Sequence, residues 1–184
     1  MDEDLDAAAS RVLADKAGLR DVFLEQLYTF GTPGRDPRTR VVTVAYYALV
    51  EPGRLAAALE RGLSWSRLAV PWAGEAGGPV SALAPDGAPR PLAFDHDHIL
   101  GTAVKRLRGK LNYAPIGYAL LPTVFPLRDL QVVHETICGH PLNKDSFRRR
   151  MLATEELAPT GRYERAVGHR PAELYRVRAP GDAT

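Results

Sequence analysis

The residues that decide the fold of this chain are 125–152, FPLRDLQVVHETICGHPLNKDSFRRRML. Pro126 suits the opening of a helix, and Leu127, Leu130, Val133 and Ile137 recur on one stripe until Gly139 supplies a stop. Asn143 is then a favourable N-cap. Leu142 before it and Phe147 in the first turns beyond it form a hydrophobic staple, and Asp145 lies where the helix dipole favours an acid. A second helix is therefore expected from about Lys144. At about 100° per residue, Phe147 and Met151 point one way with Lys144 and Arg148 beside them, while Asp145, Ser146, Arg149 and Arg150 share the opposite arc. Helix, short turn and capped helix is the helix-turn-helix order, in which the second helix enters a major groove.

Toward the C-terminus, residues 157–177, LAPTGRYERAVGHRPAELYRV, hold two short segments rich in Tyr, Val, Leu and Arg, punctuated by Gly161 and Gly168. They read as a β-hairpin. With Arg162, Arg165, His169 and Arg170 near its turns, such a hairpin has the composition of a wing lying along phosphates. Toward the N-terminus, Asp95 is placed to cap a helix that ends near Tyr113. Its apolar positions are Leu100, Val104, Leu107 and Leu111, and Lys105, Arg106, Arg108 and Lys110 occupy its other sides.

Upstream, Leu5 to Lys16 reads as an alanine-rich helix stopped by Gly18. Residues 22–30, VFLEQLYTF, and 40–50, RVVTVAYYALV, read as strands around the turn-rich loop GTPGRDPRT. Residues 51–72 suggest a short helix and a strand, and the Gly and Pro content of 73–91 suggests loop and linker. The expected organisation is a domain at 1–92, a second at 93–178 and a disordered tail at 179–184.

With 184 residues, 45% hydrophobic and 25% charged, the chain has enough apolar material for a real core. A single cysteine, Cys138, excludes an internal disulfide. No apolar run reaches the roughly 18 residues of a membrane span, and the acidic start MDEDLDAAAS lacks the pattern of a signal peptide. A cytoplasmic location is the expectation. Charge is uneven: residues 1–92 carry 10 basic and 12 acidic side chains, residues 93–184 carry 14 and 10. A basic second half suits a polyanion partner.

The run from PLAFDHDHILGTAVKRLRGKL through FPLRDLQVVHETICGHPLNKDSFRRRML to GHRPAELYRV, nearly all of residues 91–177, resembles the winged-helix domain of Nudix-related transcriptional regulators. LYTFGTPGRDPRTRVVTVAYYAL resembles the second half of a Nudix domain of the ADP-ribose-handling type. The resemblance implies an α/β, partly Nudix-like sheet and helix followed by a C-terminal winged helix. It also implies a repressor of NAD-metabolism genes that senses ADP-ribose or a relative and works as a twofold dimer on an operator.

The Nudix signature, G-x5-E-x7-R-E-U-x-E-E-x-G-U with U apolar, can be laid on EDLDAAASRVLADKAGL. Glu3, Arg11, Asp15, Gly18 and Leu19 then match, whereas Val12 and Lys16 stand where carboxylates belong. Hard Mg²⁺ or Mn²⁺ ions need those oxygens to neutralise a pyrophosphate and activate water, and an ammonium in their place opposes the metal. Sensing is expected rather than hydrolysis, with no catalytic residue and no bound metal. The strands that precede the box in Nudix domains have no counterpart before Met1, so the sensor is expected to be N-terminally truncated, either in fact or because the start lies upstream.

Arg35 and Arg38 of GRDPR are the candidate contacts to a pyrophosphate, with Asp36 holding the turn or an arginine in position; the alternative is a hairpin turn with solvated arginines. Residues 95–98, DHDH, read as an Asp95 cap and an Asp97 in the first turn rather than a metal site. His134, Cys138 and His140 fit no zinc spacing. For duplex DNA, Arg149 and Arg150 are placed to read guanine edges. Lys144, Asp145, Ser146 and Arg148 share that helix, and Lys144, Arg148 and the wing residues Arg162, Arg165, His169 and Arg170 are placed at phosphates. Two other readings stay open: a Nudix hydrolase of ADP-ribose or another nucleoside diphosphate derivative, and a constitutive binder that neither senses nor cuts.

Overall fold

The structure is a computed structural model that describes residues 2–111, 113–165, 168 and 170–179. It divides into two compact units, residues 1–112 and 113–184.

In the first unit, α1 (Leu5–Ala17) starts at Asp4, whose side chain accepts from the Ala7 N–H, and ends at Gly18. The hairpin of β1 (Phe23–Phe30) and β2 (Thr43–Leu49) follows, as the β-branched and aromatic runs predict. Its register slips between Gln26 and Tyr28, so Leu27 is an extra residue on β1. That bulge turns Leu27 into the core and leaves it outside the ladder. Next come α2 (Ala56–Glu60) and β3 (Arg67–Ala69). A small core of Ala17, Leu19 and Ala58, with Leu13, Val22, Val50 and Leu55 around it, ties the end of α1 to α2.

Residues 73–91 are not simply a linker. They contain β4 (Ser81–Leu83) and β5 (Pro89–Arg90), which build the antiparallel sheet β3-β4-β5. Strands of three and two residues are too short to show alternation, so only their pairing reveals them.

The helix α3 (His96–Lys110) also changes the domain division expected at Leu92, which the structure places between residues 112 and 113. α3 belongs to the first unit. Arg106 donates to the bulged Leu27 carbonyl at 3.0 Å, and the Lys110 ammonium meets both Glu25 oxygens at 2.6 and 2.5 Å. Buried Arg108 lies 4.8 Å from the Trp72 ring centre and donates to the carbonyls of Trp72 and Gly74. A Cβ on Gly101 would stand 1.8 Å from the Gly78 carbonyl oxygen, so the helix and the loop before β4 touch backbone to backbone. Counted by unit, the first holds 14 basic and 14 acidic residues and the second 10 and 8. Much of the basicity of the second half is therefore α3 facing its own unit.

The second unit runs through a 3₁₀ turn (Pro115–Leu120), β6 (Phe125–Pro126), α4 (Leu127–Cys138), α5 (Lys144–Ala153), β7 (Leu157–Tyr163) and β8 (Glu173–Val177). Its sheet order is β6-β8-β7, all antiparallel. This is the winged-helix arrangement: two helices joined by a short turn share one core with a three-stranded antiparallel sheet that ends in a hairpin. Phe125, Leu127, Leu130, Phe147, Met151, Leu157 and Tyr175 form one core, flanked by Tyr118, Leu121 and Leu142. Burying Leu130 completely contributes on the order of 1.5–3 kcal/mol relative to exposure. The stripe of α4 is shifted from the expected one: Leu127, Leu130 and His134 are buried, and Val133 and Ile137 only half-buried. Among the described residues, no helix is long and apolar enough to cross a membrane.

Candidate functional site

The geometry of α5 begins in the turn before it. Gly139 ends α4 with φ 80°, a left-handed conformation that glycine adopts without strain. Glu135 then reaches forward and accepts from the Leu142 N–H at 2.8 Å and from the Gln131 amide at 2.9 Å, while Gln131 also donates to the Leu142 carbonyl. These bonds, the Leu142 N–H first, hold the Glu135 carboxyl below the usual carboxylate range. Asn143 Oδ1 accepts from the Ser146 N–H at 2.9 Å, the cap the sequence predicts. The Gln131–Glu135 clamp was not foreseen; its only trace in the sequence is an i, i+4 polar pair on α4.

From that start α5 buries Phe147 and Met151 and exposes Lys144, Asp145, Ser146, Arg148, Arg149 and Arg150. The three arginines diverge more than a helical wheel suggests. Arg148 donates to the Tyr175 hydroxyl at 3.3 Å, Arg149 reaches back to Ser146 Oγ at 3.5 Å, and the Arg150 guanidinium lies 5.6 Å from the Phe147 ring centre. Among the described residues none of the three is paired with a carboxylate. Across the core, the His134 ring meets Phe147 edge-on at 5.0 Å. Burial, with a smaller contribution from the Arg150 charge, pushes His134 down to about 4, so it is neutral at ordinary pH.

Arg162 is exposed on β7, and Arg165 and Arg170 are exposed in the loop beyond it. His169 lies outside the described residues. Gly161, expected as a turn, is inside β7 instead, at φ 69° in an irregular stretch where the register shifts between Pro159 and Tyr163. Thr160 secures it by donating to the Leu174 carbonyl at 2.8 Å.

In the first unit, the 31–42 loop places its two candidate arginines very differently. Arg35 is 7% exposed in its side chain; Nε and Nη2 donate to the two Asp95 oxygens at 2.9 Å each, and Nη1 to the Phe30 carbonyl at 3.0 Å. Asp95 accordingly makes no side-chain cap for α3, and the Arg35 hydrogen bond holds its carboxyl low. The sequence could not show this, because the partners are 60 residues apart. Arg38 is 74% exposed, chelated by Asp36 at 3.0 and 2.8 Å, and sits 5.2 Å from the Phe94 ring centre. Phe94 is itself exposed, with φ 49°. A cavity of about 200 Å³ is bordered by Arg35, Asp36, Phe94, Asp95 and His96. Of the two guanidinium groups, that of Arg38 is the one open to solvent.

The signature positions on α1 and just before it are organised around Arg11, which donates to Glu3 at 2.9 and 2.8 Å and lies 3.8 Å from Asp15. Val12 and Lys16 instead border an apolar groove of about 440 Å³ with Leu5, Leu24, Val44 and Tyr46. Among the described residues, no three His, Cys, Asp or Glu side chains gather as a metal site requires.

Comparison with known proteins places this geometry. Residues 117–177 match the family model described as the NrtR DNA-binding winged helix domain. Over 177 residues the chain is 36% identical to the ADPR responsive transcriptional repressor NtrR of Acinetobacter baylyi, a match covering 95% of this chain and 64% of that protein. The chain thus spans just under two thirds of that relative's length. The crystal structure of Shewanella oneidensis NrtR complexed with a 27mer DNA is similar at TM-score 0.74 and 32% identity, over 96% of this chain and 74% of that one. A MutT/nudix family protein from Enterococcus faecalis, 23% identical, matches at TM-score 0.69 over 97% and 71%, a likeness of fold.

Proposed function

This chain belongs to the NrtR family of winged-helix regulators with a Nudix-like domain, and from that premise we propose that it is a DNA-binding transcriptional repressor that acts as a cytoplasmic homodimer. The observation that carries the proposal is α5: a capped helix presented by a clamped turn, with three exposed arginines that no described carboxylate neutralises. In a dimer, two such helices stand about one duplex turn apart and read the halves of a palindrome. Selection of duplexes from a random pool, followed by anisotropy titration at fixed salt, tests it. A recurrent half-site bound far more tightly than random sequence is expected; equal binding to both would refute a specific regulator.

The first unit, in this proposal, senses ADP-ribose or a related nucleotide through Arg38, with Asp36 and Phe94 beside it. Support comes from the exposure of that arginine on an aromatic face and from the response to ADPR for which the Acinetobacter relative is named. Binding of effector and operator must then be linked by one reciprocal factor. Calorimetry with and without operator measures it, and identical ADP-ribose affinities in the two states would exclude coupling.

Hydrolysis is the competing reading, favoured by Glu3, Arg11 and Asp15 at signature positions. Against it, Arg11 engages both acids, and the positions of two more carboxylates hold Val12 and Lys16 on an apolar groove.

A further inference from the structure

Residues 164–172 join β7 to β8, and one carboxylate closes their base. The Glu164 N–H donates to the Ala172 carbonyl at 3.0 Å, and the Ala172 N–H returns to Glu164 Oε2 at 3.1 Å. The other oxygen, Oε1, is held at 2.5 Å by Nη2 of Arg128, in the first turn of α4. Glu164 is only 11% exposed in its side chain. The same helix α4 carries the Glu135 clamp that sets the start of α5, so the loop and the recognition helix are referenced to one rigid element.

We propose that Glu164 is a positioning residue for DNA binding: bridging Arg128 and the Ala172 N–H, it ties the base of the 164–172 connection to α4, and so sets Arg165 and Arg170, at the two ends of that connection, against the phosphates flanking the site that α5 occupies. The inference rests on the DNA-binding reading and adds a residue to it whose own charge opposes DNA. The core already anchors the inner parts of β7 and β8 through Leu157 and Tyr175. Beyond the Tyr163–Glu173 pair, the bonds of Glu164 and Ala172 join the two ends of the loop at its base. Loss of the carboxylate therefore removes the tie to α4 and the bond to the Ala172 N–H, while the backbone pair of Glu164 with Ala172 and the core stay in place.

Electrostatics and positioning predict opposite signs for Glu164→Gln. Removing an acid beside DNA, by Coulomb attraction alone, tightens binding and steepens its salt dependence. Loss of a positioned wing weakens binding roughly three- to tenfold and reduces the salt slope by about 1. The full chain is titrated with its selected duplex across a salt series, as wild type, Glu164→Gln, Arg165→Ala and the double variant. Weaker binding by Glu164→Gln is expected, with Arg165→Ala costing little more in that background. Hydrogen exchange of the Ala172 amide, expected to be faster in Glu164→Ala, which removes the acceptor, at an unchanged melting temperature, reads the clamp without DNA. Equal or tighter binding by Glu164→Gln, or unchanged exchange at Ala172, overturns the proposal. Wild-type protein that binds no duplex overturns the DNA reading itself, while the exchange arm still decides whether the clamp exists.

Discussion

The 31–42 loop of the first unit and the α5 face of the second are both arginine-rich, yet they use the residue in opposite ways. Arg35 is sunk against Asp95 and Arg38 is chelated by Asp36, whereas Arg148, Arg149 and Arg150 rest on a hydroxyl, a second hydroxyl and an aromatic ring. An arginine with a carboxylate partner has its charge offset and some of its donors occupied, wholly so for buried Arg35 and in part for exposed Arg38, which keeps Nη1 toward a ligand. One resting on a ring or a hydroxyl keeps a full charge for a polyanion. What separates the two regions is the company of the arginines, which their number does not reveal.

The largest expected effect separates the units by acid. His134 is neutral in the folded protein down to about 4, but in the unfolded chain it gains a proton near 6.5, so the unfolded state binds more protons between those values. Stability of the second unit is full above about 6.5 and falls as pH drops toward 4, by at most about 3 kcal/mol. In the first unit Asp36 and Asp95 are held below 3.8, so their contribution is full above that value and is lost only as pH falls through the lower folded values. The second unit should unfold first. Both tryptophans, Trp65 and Trp72, lie in the first unit, so their fluorescence follows it alone, while amide spectra follow both units and should change first. Simultaneous loss in wild type, or an unaltered profile in His134→Gln, would break the comparison.

Next in size, Arg149→Ala should cost roughly 1–3 kcal/mol of operator binding and relax discrimination at one base position, whereas Arg162→Ala should weaken all duplexes alike and flatten the salt slope by about 1. Arg150→Ala should cost less than Arg149→Ala, because packing of its guanidinium on the Phe147 ring restricts its reach toward a base edge. Equal losses on specific and random duplexes would make α5 a phosphate clamp instead of a reader.

Smaller again, Arg38→Ala should weaken ADP-ribose binding by about tenfold, near the worth of one charge-assisted contact. Arg35→Ala should act on the melting of the first unit, since it removes the partner of Asp95. The reverse assignment, with Arg35 setting affinity and Arg38 setting melting, would invert the account of this loop. The smallest expected effect is none: with Mg²⁺ or Mn²⁺, ADP-ribose should yield AMP at background rate, and chromatographic detection of turnover would restore the hydrolase reading.

Local physics made much of this legible beforehand. Gly18 and Gly139 end their helices, Asn143 caps α5, and the pattern of β1 and β2 is visible because each of these features is settled within a few residues. The exposed positions of α5 follow from its periodicity for the same reason. The strands β4, β5 and β6, of two or three residues, carry no period and stay invisible until they pair.

By itself, then, the sequence determined the helix termini, the long hairpin, the helix-turn-helix order and the outward face of α5, all products of hydrogen bonds and side-chain spacing over three or four residues. Tertiary structure alone decided that α3 turns its basic residues on Glu25, Leu27 and Trp72, moving the unit boundary past it. It decided too that Asp95 serves Arg35 instead of capping α3, that His134 is a core residue, and that Glu164 joins the wing to α4. Each of those choices is between a local partner and one 13 to 85 residues away. A carboxylate or an imidazole can satisfy either equally well in chemical terms, and only the packing that brings the distant group within reach settles which one it takes.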